Sequence, residues 1–283
     1  MLSIGAGIVG GQTQQVQRTF DRLADTSVKL ATLKRINRGS DDPAGLIAAT
    51  ELNRELTALE EASAATERTR AVVHLADRGL GQASDLLNQI EGNLVASASG
   101  ATSTDERAAH QIEIDAAVDA LDRIGLSTTF AGRQVFTGEE ISVLTGPNPT
   151  DSAQLEIPSL SSSALGGASG RLADVRSGGL ASDNPQTGDA IVKEAREQIL
   201  SARAELAAFE RYSIDSAQRL FDDTAVNLSA SLSRIADADV AMESANLVKA
   251  MTLADTSLAA ARLTLATQRA GARLLSELFD AVS

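Results

Sequence analysis

Between Val73 and Leu94 apolar side chains return at alternating steps of three and four: Val73, Ala76, Leu80, Ala83, Leu87, Ile90 and Leu94. A strict seven-residue repeat keeps one seam of a helix turned toward one partner and implies a left-handed coiled coil. The repeat lies in the second half of a stretch, about 44–97, that reads as one helix, about 80 Å long at 1.5 Å per residue. Gly79, Gly81 and Gly92 fall inside it. Each costs up to ~1 kcal/mol against alanine in a helix interior, so packing against a partner has to hold it.

A partner stands in the second half of the chain. Residues about 189–235 read as a return helix, with Ile191, Ala195, Ile199, Ala202, Leu206 and Phe209 at helical spacing. Only 2% of the residues are aromatic and none is Trp. Ala, Leu, Ile and Val must therefore do the packing, which favours thin helix seams over a thick globular core. A third helix is expected over about 104–124, capped by Ser103 or Thr104 after the small-residue loop Ala96 to Ser103. Its Ile112, Ala116, Leu121 and Ile124 are the expected buried face.

The two ends carry thinner stripes. Over about 8–36 the series is Val16, Phe20, Leu23, Ser27 and Leu30. From about 240 it is Leu247, Met251, Ala254, Leu258, Ala261 and Leu265. Each looks incomplete alone. Between about 125 and 188 helical periodicity stops and Gly, Ser, Thr and Pro rise. Ile141-Ser142-Val143-Leu144 and Gln154-Leu155-Glu156-Ile157 read as short strands around a Gly146-Pro147-Asn148-Pro149 turn.

The first terminal helix gives way to the long one at Arg35-Ile36-Asn37-Arg38-Gly39-Ser40-Asp41-Asp42-Pro43-Ala44-Gly45. Gly39 is expected to take the chain out of the first helix through a positive φ. Asp42 is placed to accept from a free first-turn N–H, and Pro43 suits the first helical position, whose N–H has no partner anyway. Asp41 and Asp42 both favour the positive end of the new helix.

This break, with Leu46 and Ile47 after it, resembles the sequence that joins the terminal segment of bacterial flagellins to their first long helix. Nearly 200 residues on, Asn227-Leu228-Ser229-Ala230-Ser231-Leu232-Ser233-Arg234-Ile235-Ala236-Asp237-Ala238-Asp239 resembles the return helix of that family and its Ser-Arg-Ile-x-Asp-Ala-Asp hinge. The segment Phe130-Ala131-Gly132-Arg133-Gln134-Val135-Phe136-Thr137-Gly138 is similar to the family's Phe-x-Gly turn. One departure stands out. After Ala254-Asp255-Thr256-Ser257 the chain reads Leu258-Ala259-Ala260-Ala261-Arg262, with Arg269 and Arg273 to follow, where flagellins usually carry a Gln- and Asn-rich run.

The fold expected is mainly α. It is a long antiparallel α-helical coiled-coil hairpin with a small β-hairpin region at one end and paired terminal helices. The resemblance implies that 1–40 and 241–283 form the inner core of a filament and are disordered in the monomer. Residues 41–240 then form a helical rod domain, with the β region at about 125–188 and no outer insertion domain. It implies a homopolymer, the subunit of the extracellular flagellar filament, exported without a cleaved secretory signal. It also implies an export chaperone, a filament cap and hook-junction proteins as partners. The assembly seam would be Val16, Phe20, Leu23, Leu30, Leu247, Met251, Leu258 and Leu265. The hinge residues would be Arg35, Ile36, Asn37, Asp41, Asp42, Ala44, Gly45, Ser233, Arg234, Ile235, Asp237, Ala238 and Asp239. A hook–filament junction protein shares this architecture and is the alternative. An acidic secreted helical scaffold or binding module is a reading from a different class.

The first long helix of flagellins detected by the innate immune receptor carries Leu-Gln-Arg-Val-Arg-Glu-Leu. The matching stretch here is Leu87-Asn88-Gln89-Ile90-Glu91-Gly92-Asn93, so both arginines are replaced, by Gln89 and Glu91, and the glutamate by Gly92. Escape from that receptor is the expectation.

Charge and motif searches narrow the rest. The net charge is −13; residues 1–40 carry +4, 241–283 are neutral and the middle holds −17. An acidic middle repels phosphate and argues against nucleic-acid binding. No run of about 18 apolar residues suits membrane insertion, and Met1-Leu2-Ser3-Ile4-Gly5 lacks a basic signal-peptide start. There are no cysteines, hence no disulfide or thiolate metal site. Gly5-Ala6-Gly7-Ile8-Val9-Gly10 matches a dinucleotide fingerprint but lacks the strand that must precede it; a flexible Gly-rich start is the reading. His74 and His110 are far apart, and Asn227-Leu228-Ser229 is a glycosylation pattern inside a predicted helix. No activated nucleophile is present. Catalytic, cofactor and metal sites are all expected to be absent.

Overall fold

The computed structural model describes residues 2–146, 150–179, 181 and 184–282, with side chains at 11 and within 13–274. Six α-helices dominate: α1 Leu2–Thr32, α2 Pro43–Ser97, α3 Thr104–Ser127, α4 Pro185–Phe209, α5 Asp215–Ala236 and α6 Val240–Val282. Three antiparallel two-stranded ribbons stand between α3 and α4. They pair β1 Thr129–Phe130 with β2 Arg133–Gln134, β3 Glu140–Leu144 with β4 Ser152–Glu156, and β5 Gly166–Gly167 with β6 Gly170–Arg171. The fold is mainly α, as its sequence pattern requires.

The chain divides into two compact units, one of Met1–Leu56 with Asn227–Ser283, the other of Thr57–Val226. The second holds the main core. All seven repeat positions of α2 from Val73 to Leu94 are buried there, and so are Ile191, Ala195, Ile199, Ala202, Leu206 and Phe209 of α4. Cross-links step backward along α2 as they step forward along the return segment. Glu91 pairs with Arg196, Asp77 with Arg203 at 2.8 Å and Arg70 with Asp215 at 2.8 Å, and Ser63 accepts from Gln218 at 2.7 Å. This is an antiparallel pair, with a seam of apolar side chains edged by charge. Gly79 has its reason in the packing: the Phe136 ring lies 2.7 Å from where a Cβ would stand. The turn that carries Phe136 therefore needs a glycine on α2.

Two sequence expectations change and one is refined. The return helix runs on through a π-bulge at Glu210–Ile214, where the backbone stays helical, and α4 starts early because Asn184 accepts from the Thr187 N–H with Pro185 in the first turn. α3 buries Ile114, Ala117, Val118, Leu121 and Gly125, while Ile112 is 69% exposed and Ala116 is exposed. The expected stripe missed the side that meets the core by two residues at its start. The Gly-rich beginning, read as flexible, lies within α1, so Gly5 to Gly10 is helix rather than a phosphate loop.

Other local readings hold. Ser103 caps α3 in a reciprocal box with Glu106. β3 and β4 pair Ile141 with Leu155 and Val143 with Ala153. Of the turn between them, residues 147–149 lie outside the described residues.

Candidate functional site

The two motifs that stand 200 residues apart in sequence are in contact within the first unit. α1 stops at Thr32 because Leu33 turns to a φ of 56°. Gly39 does not supply the reversal; the left-handed residue is a leucine, which is costly and has to be held from outside. The returning chain holds it. The Ala238 N–H donates to the Leu33 carbonyl at 3.0 Å, and the Arg35 N–H donates to the Ala236 carbonyl at 2.7 Å. Lys34 and Asp237 form an antiparallel bridge between them. The Arg35 guanidinium adds two hydrogen bonds to the Ile235 carbonyl, at 3.2 Å from Nε and 2.6 Å from Nη2, and touches Asp42 at 3.3 Å.

The remaining hinge residues brace this crossing. Asp41 accepts from the Asn37 and Arg38 N–H groups at 2.9 and 2.8 Å, and Asn37 donates to the Lys34 carbonyl. Asp42 caps α2 by accepting from the Gly45 N–H at 2.9 Å. Ile36 is buried, and a Cβ on Gly45 would crowd the Asp42 carboxylate and stand 2.7 Å from Ile36 Cδ1, so a larger residue there would push the capping carboxylate or Ile36 aside. Ala44 is exposed in the first turn of α2. Ser233 donates to Asp237 at 2.6 Å, and Asp239 caps α6 through the Ala241 and Met242 N–H groups. Arg234 is exposed. Sequence reading placed these residues in two motifs. It did not show that Arg35 and the backbone of Leu33 join them.

The backbone N–H groups of Asn37 and Arg38 hold the Asp41 carboxyl below the usual carboxylate range, and the Gly45 N–H does the same for Asp42. A carboxyl depressed in the fold stabilises it fully above the unfolded value, about 3.9. That contribution is lost as pH falls through the folded value. In the assembled chain the amide resonances of Asn37, Arg38 and Gly45 should therefore hold their folded positions at pH 5 and drift toward random-coil shifts below that range. Unchanged shifts down to pH 2 would show that other bonds carry the hinge.

Beyond the hinge α1 and α6 run side by side, and the structure divides the predicted stripes in two. Facing each other are Val16, Thr19, Leu23, Thr26 and Leu30 of α1 with Leu247, Ala250, Ala254, Ser257 and Ala261 of α6. Thr19 and Thr26 satisfy their hydroxyls on the carbonyls of Gln15 and Arg22, which lets a polar residue serve in a thin seam. Phe20 is 45% exposed, and Met251, Leu258 and Leu265 also face outward. Of the eight expected seam positions, Val16, Leu23, Leu30 and Leu247 thus face within the pair. Phe20, Met251, Leu258 and Leu265 keep a third to a half of their surface exposed. α6 adds Val248, Leu253 and Leu263 to the exposed apolar set.

Elsewhere the candidates for chemistry are scattered. His74 meets Glu210 and His110 meets Asn93. Among the described residues no group of three or more His, Cys, Asp or Glu is arranged to hold a metal. None of the described helices is long and apolar enough to cross a membrane. Gln89 and Gly92 are exposed on α2. Glu91 is not a free negative charge, because Arg196 binds it.

Comparison with known proteins agrees with the motifs. The family model for the bacterial flagellin N-terminal helical region matches residues 12–140, and that for the C-terminal helical region matches 190–269. Polar flagellin E of Vibrio parahaemolyticus is 29% identical over 49% of this chain and 37% of its own. B-type flagellin of Pseudomonas aeruginosa is 30% identical over 58% of this chain and 34% of its own. The chain thus matches about a third of the length of these two relatives. The flagellar filament 33 kDa core protein of Treponema phagedenis is 27% identical over 78% of this chain and 81% of its own.

Proposed function

The chain belongs to the bacterial flagellin family, and we propose on that footing that it is the repeating subunit of an extracellular flagellar filament. The observation that carries the reading is the row Met251, Leu258 and Leu265. These apolar residues recur every seven positions along α6, beside the side that meets α1, and are 48%, 36% and 45% exposed in the single chain. A contiguous exposed apolar face marks an interaction surface. A face that meets a different surface on the next copy builds an open helical polymer when the rotation does not close.

In this proposal the subunit is structural and not an enzyme. Residues 1–40 and 241–283 line the filament's inner layer, and the acidic 41–240 segment faces outward. The subunit leaves the cell without a cleaved signal, and an export chaperone, a filament cap and hook-junction proteins are its partners. The relatives carry flagellin or filament-core names, which supports the filament reading over the junction-protein alternative and over an acidic scaffold.

The terminal helices order on assembly. Their seam is short of large apolar side chains, and helices without such packing are marginal in water. Limited proteolysis of the monomer should trim the chain to roughly 40–240, and electron microscopy of the purified chain under assembling conditions should show regular fibres. A chain that stays monomeric on filament seeds would overturn the reading.

A further inference from the structure

Beside the seam that meets α1, α6 carries a second seven-residue repeat, one residue out of step with the first. Val248, Met251, Asp255, Leu258, Arg262, Leu265, Arg269 and Ala272 follow at alternating steps of three and four. All eight are exposed. Such steps along one helix are the spacing of a coiled-coil seam. The repeat has two kinds of position. Met251, Leu258, Leu265 and Ala272 supply an apolar line, while the alternate line reads Val248, Asp255, Arg262 and Arg269. Apolar positions drive association of a seam, and polar ones within it restrict the register, since like charges set face to face are costly.

Charge complementarity selects one self-pairing of this repeat. Two parallel α6 helices in register would set Asp255 on Asp255 and each arginine on its twin. A shift of one heptad brings Asp255 to Arg262 but leaves Arg262 against Arg269. A shift of two heptads, about 21 Å along the helix, removes every like-charge pair. Asp255 then meets Arg269, Met251 meets Leu265, Leu258 meets Ala272, and the aliphatic stem of Arg262 covers Val248. An antiparallel pair that brings Asp255 to Arg262 closes on itself and admits no further copy.

We propose that this face of α6 docks on the α6 of a second copy, parallel and shifted by two heptads, with the Asp255–Arg269 pair fixing the shift. The inference rests on the filament reading and names a contact and a register within it. Each copy offers one half of the seam to the copy ahead and the other half to the copy behind. The contact is therefore head-to-tail and open, the kind that propagates.

The test is charge exchange in the full chain, read as polymer fraction by sedimentation. Asp255→Arg and Arg269→Asp should each raise the critical concentration about tenfold or more. The double variant Asp255→Arg/Arg269→Asp should return to within about threefold of the parent. An equimolar mixture of the two single variants should polymerise as well as the double variant, because alternating copies restore opposite charges at every contact. Asp255→Arg/Arg262→Asp should stay impaired, since the introduced arginine still faces Arg269. Single variants that assemble like the parent, a mixture no better than its components, or rescue by Arg262→Asp in place of Arg269→Asp would overturn the register. Should the parent not polymerise, the filament reading fails separately. The register is then read by oxidative cross-linking, which the absence of native cysteines leaves free of background. Met251→Cys mixed with Leu265→Cys should link faster than Met251→Cys mixed with Leu258→Cys, and equal rates would overturn the contact.

Discussion

Leu258→Asp should abolish filament formation while the Thr57–Val226 unit keeps its fold. Leu258 is 36% exposed in the single chain, so the charge sits in water until a second copy covers it. Covering an unpaired carboxylate costs several kcal/mol. At about 3 kcal/mol per subunit the critical concentration rises more than about a hundredfold. Phe20→Asp, on the outer side of α1, should act the same way. Leu23→Asp is the informative contrast. It faces α6, so it should lose assembly by breaking the terminal pair and should not gain helicity on filament seeds. Sedimentation gives the polymer fraction, and circular dichroism with thermal melting reports the fold. Normal filament yield from Leu258→Asp would remove the outer row of α6 from the interface.

The contrast between Leu23 and Leu258 also shows what could be read in the sequence and what could not. In the α2 and α4 seams each repeat position is a large apolar residue or an alanine between two of them, and a repeat of that kind has one solution. All positions expected in those two seams are buried. In α1 and α6 two stripes run beside each other one residue apart. Val16, Phe20, Leu23 and Ser27 satisfy helical spacing as well as Val16, Thr19, Leu23 and Thr26 do. Choosing by hydrophobicity selects Phe20, whereas the helix pair selects Thr19, whose hydroxyl is already satisfied by the Gln15 carbonyl. A helix that must bury one face within its chain and offer another to a neighbour is ambiguous by composition alone.

The hinge repeats the lesson at the scale of single bonds. Capping by Asp42 was legible because side chain and acceptor geometry are local. The reversal at Leu33 was not, because a left-handed leucine has no residue-type signal. It exists only because the Ala238 N–H and the Arg35 N–H find carbonyls on the opposite segment. Glu243, 8% exposed in the first turn of α6, was missed for the same reason. Its position in the first turn of α6 reads as an ordinary dipole-favoured acid, and only the proximity of α1 buries it.

The substituted segment of α2 should leave this protein binding the innate receptor for flagellin about thirtyfold or more weakly than a flagellin that keeps both arginines, the usual cost of losing a central arginine. Neither Gln89 nor Glu91 can present the planar fork of donors that a bidentate contact needs. Repulsion by Glu91 does not add to the loss, since Arg196 binds that carboxylate and both side chains are partly buried. The same pair makes the change hard to reverse. Glu91→Arg would set two guanidiniums against each other, beside the α2 and α4 seam. Restoring the segment by Gln89→Arg, Glu91→Arg and Gly92→Glu should therefore lower the melting temperature. Adding Arg196→Glu should recover the fold and raise receptor affinity at least about tenfold over the parent, a gain of about 1.4 kcal/mol. A receptor titration of the four monomers, each checked by thermal melting, separates the two effects. A parent that binds as tightly as the arginine-bearing flagellin would place the contact outside Gln89 to Gly92.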